Sequence, residues 1–193
     1  DPRLLPSASS GKGGAAAASG KSAKLTALGE LVPQIIAEEH RVLIFSQFVS
    51  LLAILREWAE REGYAYCYLD GSMTPARRKR EIARFQEPDG PSIFLISLRA
   101  GGVGINLTAA EYVILVDPWW NPAVEDQAID RSHRIGQTQP VTAYRLVASG
   151  TVEERIAAPK ARKRSLAGDI VPDESTIISS LSEEEVLELF AEF

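Results

Sequence analysis

Gln127, Arg131 and Arg134 stand at i, i+4 and i+7 within the stretch DPWWNPAVEDQAIDRSHRIGQ, residues 117–137. On a helix that spacing sets one amide and two guanidiniums on a single face. Each guanidinium is a planar fork of donors that stays charged, so the pair suits a polyphosphate. Glu125, Asp126 and Asp130 lie close by, and the same residues also read as a solvated helix with paired charges.

Four further groups could touch an anionic polymer. The run RAGGVGIN, residues 99–106, holds Gly101, Gly102 and Gly104, which allow a tight turn and close approach to a phosphate. It fails the dinucleotide fingerprint, which requires glycine where Leu107 stands. A plain glycine turn between strand and helix is the equal alternative. Arg77, Arg78, Lys79 and Arg80 are consecutive, with Arg84 one turn later. They read either as a solvated helix surface or as a salt-dependent, sequence-independent phosphate contact. Ser46 and Gln47 follow a strand end, where sheets of this kind bind ligands. Of Trp119 and Trp120, one is expected buried and the other exposed towards a base or groove.

Gly20-Lys21-Ser22 imitates the close of a phosphate-binding P-loop, but Ala15 occupies the position of the required first glycine and no strand precedes it. Two histidines, His40 and His133, and one cysteine, Cys67, make no metal cluster in sequence.

The elements that must position these groups alternate. Helical spacing covers residues 24–39, weakened or kinked by Gly29 and Pro33. Strands follow at 41–45, 64–69, 92–97, 112–116 and 141–147. Helices fill 47–62, stopped by Gly63; 74–85, opened by Thr74 and Pro75; and 123–134. Thr151 with Glu154 predicts a capping box. Ser182 with Glu185 predicts a last amphipathic helix, expected to dock on the body or on a missing partner domain. Five apolar strands between helices predict an α/β fold with a mostly parallel sheet covered on both faces.

The 193 residues are 45% hydrophobic, enough for a core, and the length fits one domain with tails or at most two small ones. A single cysteine excludes a disulfide framework and fits a reducing interior. No run is apolar enough for a transmembrane helix, no signal pattern opens the chain, and no membrane partner is expected. Starting at Asp1, the sequence reads as a fragment. The net charge of −5 is uneven: residues 165–193 hold eight acids and no base, leaving 21 bases and 18 acids before them, a net of +3. The division read from this is a segment and low-complexity Gly/Ser/Ala linker at 1–21, expected to be flexible, a body at 22–150, and a tail at 151–193.

Four motifs in fixed order carry a resemblance: RVLIFSQF at 41–48, YLDGSMTPARRKREIARF at 68–85, SLRAGGVGINLTAA at 97–110, and the stretch at 117–137. Together they resemble the C-terminal lobe of superfamily 2 helicases, in the form found in Snf-type DNA-translocating and chromatin-remodelling ATPases. The likeness spans about residues 22–164. The double tryptophan before Asn121-Pro122 and the Ile-Gly-Gln after Arg134 separate it from DEAD-box RNA helicases.

The resemblance implies a RecA-like three-layer sandwich, the second lobe of a two-lobe motor. It implies that Arg131 and Arg134 act as arginine fingers on the γ-phosphate, with Gln127 completing the site. Gly102, Gly104 and Asn106 would lie on the ATP side. Ser46, Gln47, Arg77, Arg78, Lys79, Ser97, Arg99, Ala100, Gly101 and Trp119 would track the DNA backbone. Leu98 stands where many members have threonine, and Asp130 where many helicases have glycine. Residues 151–164 resemble a brace helix interrupted by Pro159. P-loop and Walker-B motifs are lacking, so the resemblance assigns ATP binding with Mg2+ to a first lobe of the same parent and predicts an inactive isolated chain. Expected partners are that lobe, double-stranded DNA and a nucleoprotein complex or polymerase. The expected location is intracellular: nucleoid and cytoplasm if bacterial, which the composition favours, nucleus if eukaryotic. A binding module without catalysis and a strand-separating helicase lobe are the alternatives.

Overall fold

The computed structural model describes residues 22–101, 107–117, 122–129, 139–151 and 153–154. Five strands form one sheet: β1 (Val42–Ser46), β2 (Tyr66–Leu69), β3 (Ile93–Ser97), β4 (Tyr112–Leu115) and β5 (Thr142–Arg145). Their order is β2-β3-β1-β4-β5, and every pairing is parallel. The helices are α1 (Ala23–Ala37), α2 (Val49–Arg61), α3 (Pro75–Gln86), the single turn α4 (Leu98–Gly101) and α5 (Pro122–Ile129).

Alternation along each strand divides the core in two. Val42 and Ile44 of β1, with Ile93, Leu95 and Ile114, pack against Leu28, Val32 and Ile35 of α1 and Leu52, Leu55 and Trp58 of α2. Leu43 and Phe45, with Phe94, Ile96, Val113 and Leu115, pack against Phe85 of α3 and Ala128 of α5. Because both faces are covered, β1 and β3 read as unbroken apolar runs and are wholly buried. β5 is different. It forms over four residues rather than the expected seven, and three of those four are exposed, as an outer strand permits.

The helix stops and starts follow local chemistry. Pro33 lies inside α1, yet the helix continues to Ala37 because Leu28, Val32 and Ile35 bury its face. The lost hydrogen bond falls on the carbonyl of Gly29, an exposed residue. Gly63 takes a φ of 77° after α2, the left-handed stop that glycine supplies without strain. Thr74 caps α3 by accepting from the Arg77 N–H at 3.4 Å, with Pro75 next. Ser22, read as a P-loop imitation, is the N-cap of α1 and accepts from the Leu25 N–H at 3.4 Å.

The Thr151–Glu154 box closes in a shifted form. Thr151 Oγ1 accepts from the Glu153 N–H at 3.2 Å, and Glu154 reaches back to the Gly150 N–H at 2.7 Å. Lys21, Pro159 and the residues from 155 onward lie outside the described residues.

Candidate functional site

Parallel strands end together, so the sheet has one C-terminal edge. There Ser97 lies beside Ser46, and Asp70 and Asp117 follow β2 and β4. All four are buried, and Ser46, Asp70 and Asp117 are held by side-chain hydrogen bonds. Ser46 Oγ donates to Asp117 Oδ2 at 2.5 Å and accepts from the Phe48 N–H at 3.0 Å. Asp70 accepts from the Tyr68 hydroxyl at 2.8 Å and from the Ser72 N–H and hydroxyl at 2.8 and 2.6 Å. Burial pushes the Asp70 carboxyl upward, but the donors from Ser72, Tyr68 and the Met73 backbone outweigh it and hold the group below the usual range. The Tyr68 hydroxyl is pushed up to about 12, first by burial and then by its bond to Asp70.

A lysine locks this edge to two distant segments. Lys24, one residue into α1, donates through Nζ to the Val116 carbonyl at 2.7 Å and to Glu153 Oε1 at 2.6 Å. It lies 3.5 Å from Asp117 Oδ1. Glu153 Oε2 also accepts from the Ala148 N–H at 3.0 Å. Sequence reasoning missed Lys24, Asp70 and Glu153. Nothing local marks Lys24 and Glu153, whose partnership spans 129 positions. Asp70 instead bonds within two positions, to Tyr68 and Ser72, and the Asp-x-Ser spacing was the signal that could have found it.

The candidate contact residues divide by exposure. Ser46, Ser97 and Ala100 are buried, so their side chains build the edge from within. Arg77, Lys79, Arg80 and Arg99 are exposed and Gln47 is partly so. Arg78 donates through Nη1 to the Ala100 carbonyl at 3.2 Å, which fastens α3 to α4. Phe48 and Val49, each about half exposed, are apolar residues at the same edge that the sequence reading passed over. α4 leaves β3 without a gap and packs beside α5. α5 carries Gln127 in its backbone, and Glu125, almost fully buried, accepts from Arg145 Nε of β5 at 3.0 Å, with Asp126 3.5 Å from Nη2. The Gln127 side chain, and Gly102, Gly104, Asn106, Trp119, Trp120, Asp130, Arg131, His133 and Arg134, lie outside the described residues.

Residues 23–136 match the model of the helicase conserved C-terminal domain. The chain belongs to that family. It is a C-terminal lobe of the Snf type, and its parallel sheet with flanking helices is the RecA-like fold that the resemblance implied. A Mycoplasma pneumoniae protein named an uncharacterized ATP-dependent helicase is 41% identical over 169 residues, 88% of this chain and 16% of that protein. The human chromatin-remodeling ATPase INO80 is 42% identical over 176 residues, 86% of this chain and 11% of that protein. The Sulfolobus solfataricus SWI2/SNF2 ATPase core in complex with double-stranded DNA superposes with a TM-score of 0.71 at 36% identity, covering 87% of this chain and 35% of that one. The lobe therefore spans a small part of the proteins it matches. Among the described residues, no helix is long and apolar enough to cross a membrane.

Proposed function

We propose that this lobe completes the ATP site of a double-stranded-DNA translocase of the Snf type and supplies part of its DNA-backbone track. The observation that carries the reading is the packing of α4 beside α5 at the C-terminal edge of the sheet. α4 leads into the glycine run that ends at Asn106, and α5 leads from Gln127 towards Arg131 and Arg134. A shift of either helix is therefore felt by the other, which is what coupling of a polymer track to a nucleotide site requires.

In this reading Arg131 and Arg134 reach the γ-phosphate when the two lobes close, and Gln127 orients the same face. A finger of this kind stabilises charge in the phosphoryl-transfer transition state and contributes roughly 10³–10⁵ in rate. ATP with Mg2+ supplies the scissile phosphoryl group, and its primary binding site is in the first lobe. Gly102, Gly104 and Asn106 border the nucleotide. On the DNA side, Gln47, Arg77, Lys79 and Arg99 present donors to phosphate. Ser46, Ser97 and Ala100 set the position of that surface from beneath, Arg78 ties α3 to it, and Gly101 and Trp119 extend it. Contacts of this type carry no base sequence and weaken steeply with salt.

The similarity to a core structure solved with double-stranded DNA favours duplex over single strand. The parent's expected partners are its first lobe, duplex DNA and the nucleoprotein complex it remodels.

The test is steady-state ATP hydrolysis by the parent with duplex DNA. Arg134→Ala is expected to lower kcat on the order of 10³-fold. Intact DNA-stimulated turnover would make this lobe a binding module. Robust unwinding of a forked duplex by the parent would replace translocation with strand separation. The isolated chain is expected to hydrolyse no ATP, with or without DNA. DNA-stimulated turnover by it that survives Arg131→Ala and is lost on Lys21→Ala would overturn the two-lobe architecture.

A further inference from the structure

β2 is, like β5, an outer strand of the sheet, and among the described strands only β3 pairs with it. Cys67 and Leu69 point into the core, while Tyr66 and Tyr68 are half-buried on the other face. Beside them opens a cleft of about 360 Å³, lined by Arg56 of α2, Arg77 and Arg84 of α3, and Tyr64, Tyr66 and Tyr68. Arg56 is preset. Its guanidinium lies 4.8 Å from the centre of the Tyr68 ring, and Nε donates to the Tyr66 hydroxyl at 3.2 Å. The one acid of the lining, Glu81, is already engaged. It accepts from the Tyr68 N–H at 3.3 Å and lies 3.8 Å from Arg84. Arg77 is exposed, and its guanidinium has no partner among the described residues. The cleft is thus a cationic, aromatic-walled slot at an open sheet edge, a surface suited to an anionic chain segment with apolar side chains.

The same polypeptide contains such a segment. Residues 165–193 hold eight acids and no base, interspersed with Ile177, Ile178, Leu181, Val186, Leu189 and Phe190. It can reach. Five strands at ~4.8 Å separate β5 from β2 by roughly 19 Å, while the ten residues 155–164 span up to about 33 Å when extended.

We propose that the acidic segment 165–193 docks intramolecularly in the Arg–Tyr cleft at the β2 edge. Docking places carboxylates on Arg77 and Arg84 and apolar side chains on Tyr66 and Tyr68. A docked segment also withholds Arg77 from phosphate, which would make the tail a competitor of the DNA track. That consequence rests on the proposed reading of Arg77; the docking does not.

The experiment uses the full chain carrying Ser180→Cys, a nitroxide on the new thiol, and backbone amide spectra. Cys67 is fully buried, and burial pushes its thiol up to about 12, so labelling spares it. The expected result is selective loss of amide intensity at Tyr66, Tyr68, Arg77 and Glu81. The intensity should recover in ~1 M salt, where the Debye length is about 3 Å, and in Arg77→Glu with Arg84→Glu. Unchanged amide positions in the core strands would verify that the double variant folds. Loss at another face, no loss, or loss that persists in the double variant would overturn the proposal. So would loss in isotope-labelled chains mixed with nitroxide-labelled ones, because the occupant would then be a second copy.

Discussion

Replacing Lys24 by alanine removes the centre of the network that closes the sheet's C-terminal edge. Lys24 and Asp117 are largely buried, with side chains 15% and 7% exposed, and Glu153 is 26% exposed. Three contacts go at once: the bonds to the Val116 carbonyl and Glu153 at 2.7 and 2.6 Å and the 3.5 Å pair with Asp117. A hydrogen bond to a charged group contributes about 1.5–3 kcal/mol. Removing one partner of a fully buried ion pair costs about 3–5 kcal/mol, because the other charge is left behind. Residual exposure lets water reach Glu153, and Asp117 keeps its Ser46 donor. We expect a loss of ~2–4 kcal/mol by urea denaturation of the 193-residue chain, and a Tm drop of about 2–4 °C per kcal/mol. Arg61→Ala is the internal control. Arg61 and Glu62 form a pair at 3.4 Å with side chains 66% and 47% exposed, and exposed pairs contribute about 0–1 kcal/mol at most. Lys24→Ala with Glu153→Gln, compared with each alone, should give a coupling of ~0.5–3 kcal/mol. A Lys24→Ala loss no larger than that of Arg61→Ala would refute the reasoning.

Phe85→Ala should cost about 3–5 kcal/mol, read by the same denaturation, because Phe85 is fully buried with its ring 5.0 Å from Phe94. Asp70→Asn should lower stability by ~1–3 kcal/mol near neutral pH through weakened bonds to Tyr68 and Ser72. The folded state holds the Asp70 carboxyl low, so its contribution is present above the ordinary carboxylate pKa. It is lost as pH falls through the depressed folded value, so wild type and Asp70→Asn should converge in an acid titration of stability. Arg145→Ala removes the 3.0 Å bond that ties α5 to β5. It should speed amide exchange in α5 while leaving exchange in β1 and β3 unchanged.

Elements dictated by local chemistry were legible in the sequence. The apolar runs of β1 and β3, the Thr74–Pro75 start and the Gly63 stop each follow from a few adjacent residues. The strand order was not legible, since β1 lies between β3 and β4 through crossovers that the sequence does not print. α1 defied its proline because burial of Leu28, Val32 and Ile35 outweighs one missing bond. Of the candidate contacts, residue type and position found the right edge but could not tell Ser46, turned inward to Asp117, from Gln47 beside it. Nothing adjacent to Lys24 marks it, and only its tertiary partners distinguish it.

Those partners also explain how one edge can be both rigid and responsive. Ser46, Asp70 and Asp117 are buried and bonded, with buried Ser97 beside Ser46 in the sheet, so they hold the strand ends in place. α4 is fastened to α3 through the Arg78–Ala100 bond, α3 itself is held by buried Phe85 and by Glu81 on the Tyr68 N–H, and α5 is tied to β5 through Arg145. A fixed platform with two lightly fastened helices in contact can shift those helices without disturbing the sheet, since local openings draw on few bonds. If that division holds, Arg78→Ala should loosen α4 in amide exchange and leave global stability within ~1 kcal/mol of wild type. Lys24→Ala should do the reverse, lowering the stability of the whole sheet. Equal effects of both substitutions on both readouts would mean that the edge behaves as one unit.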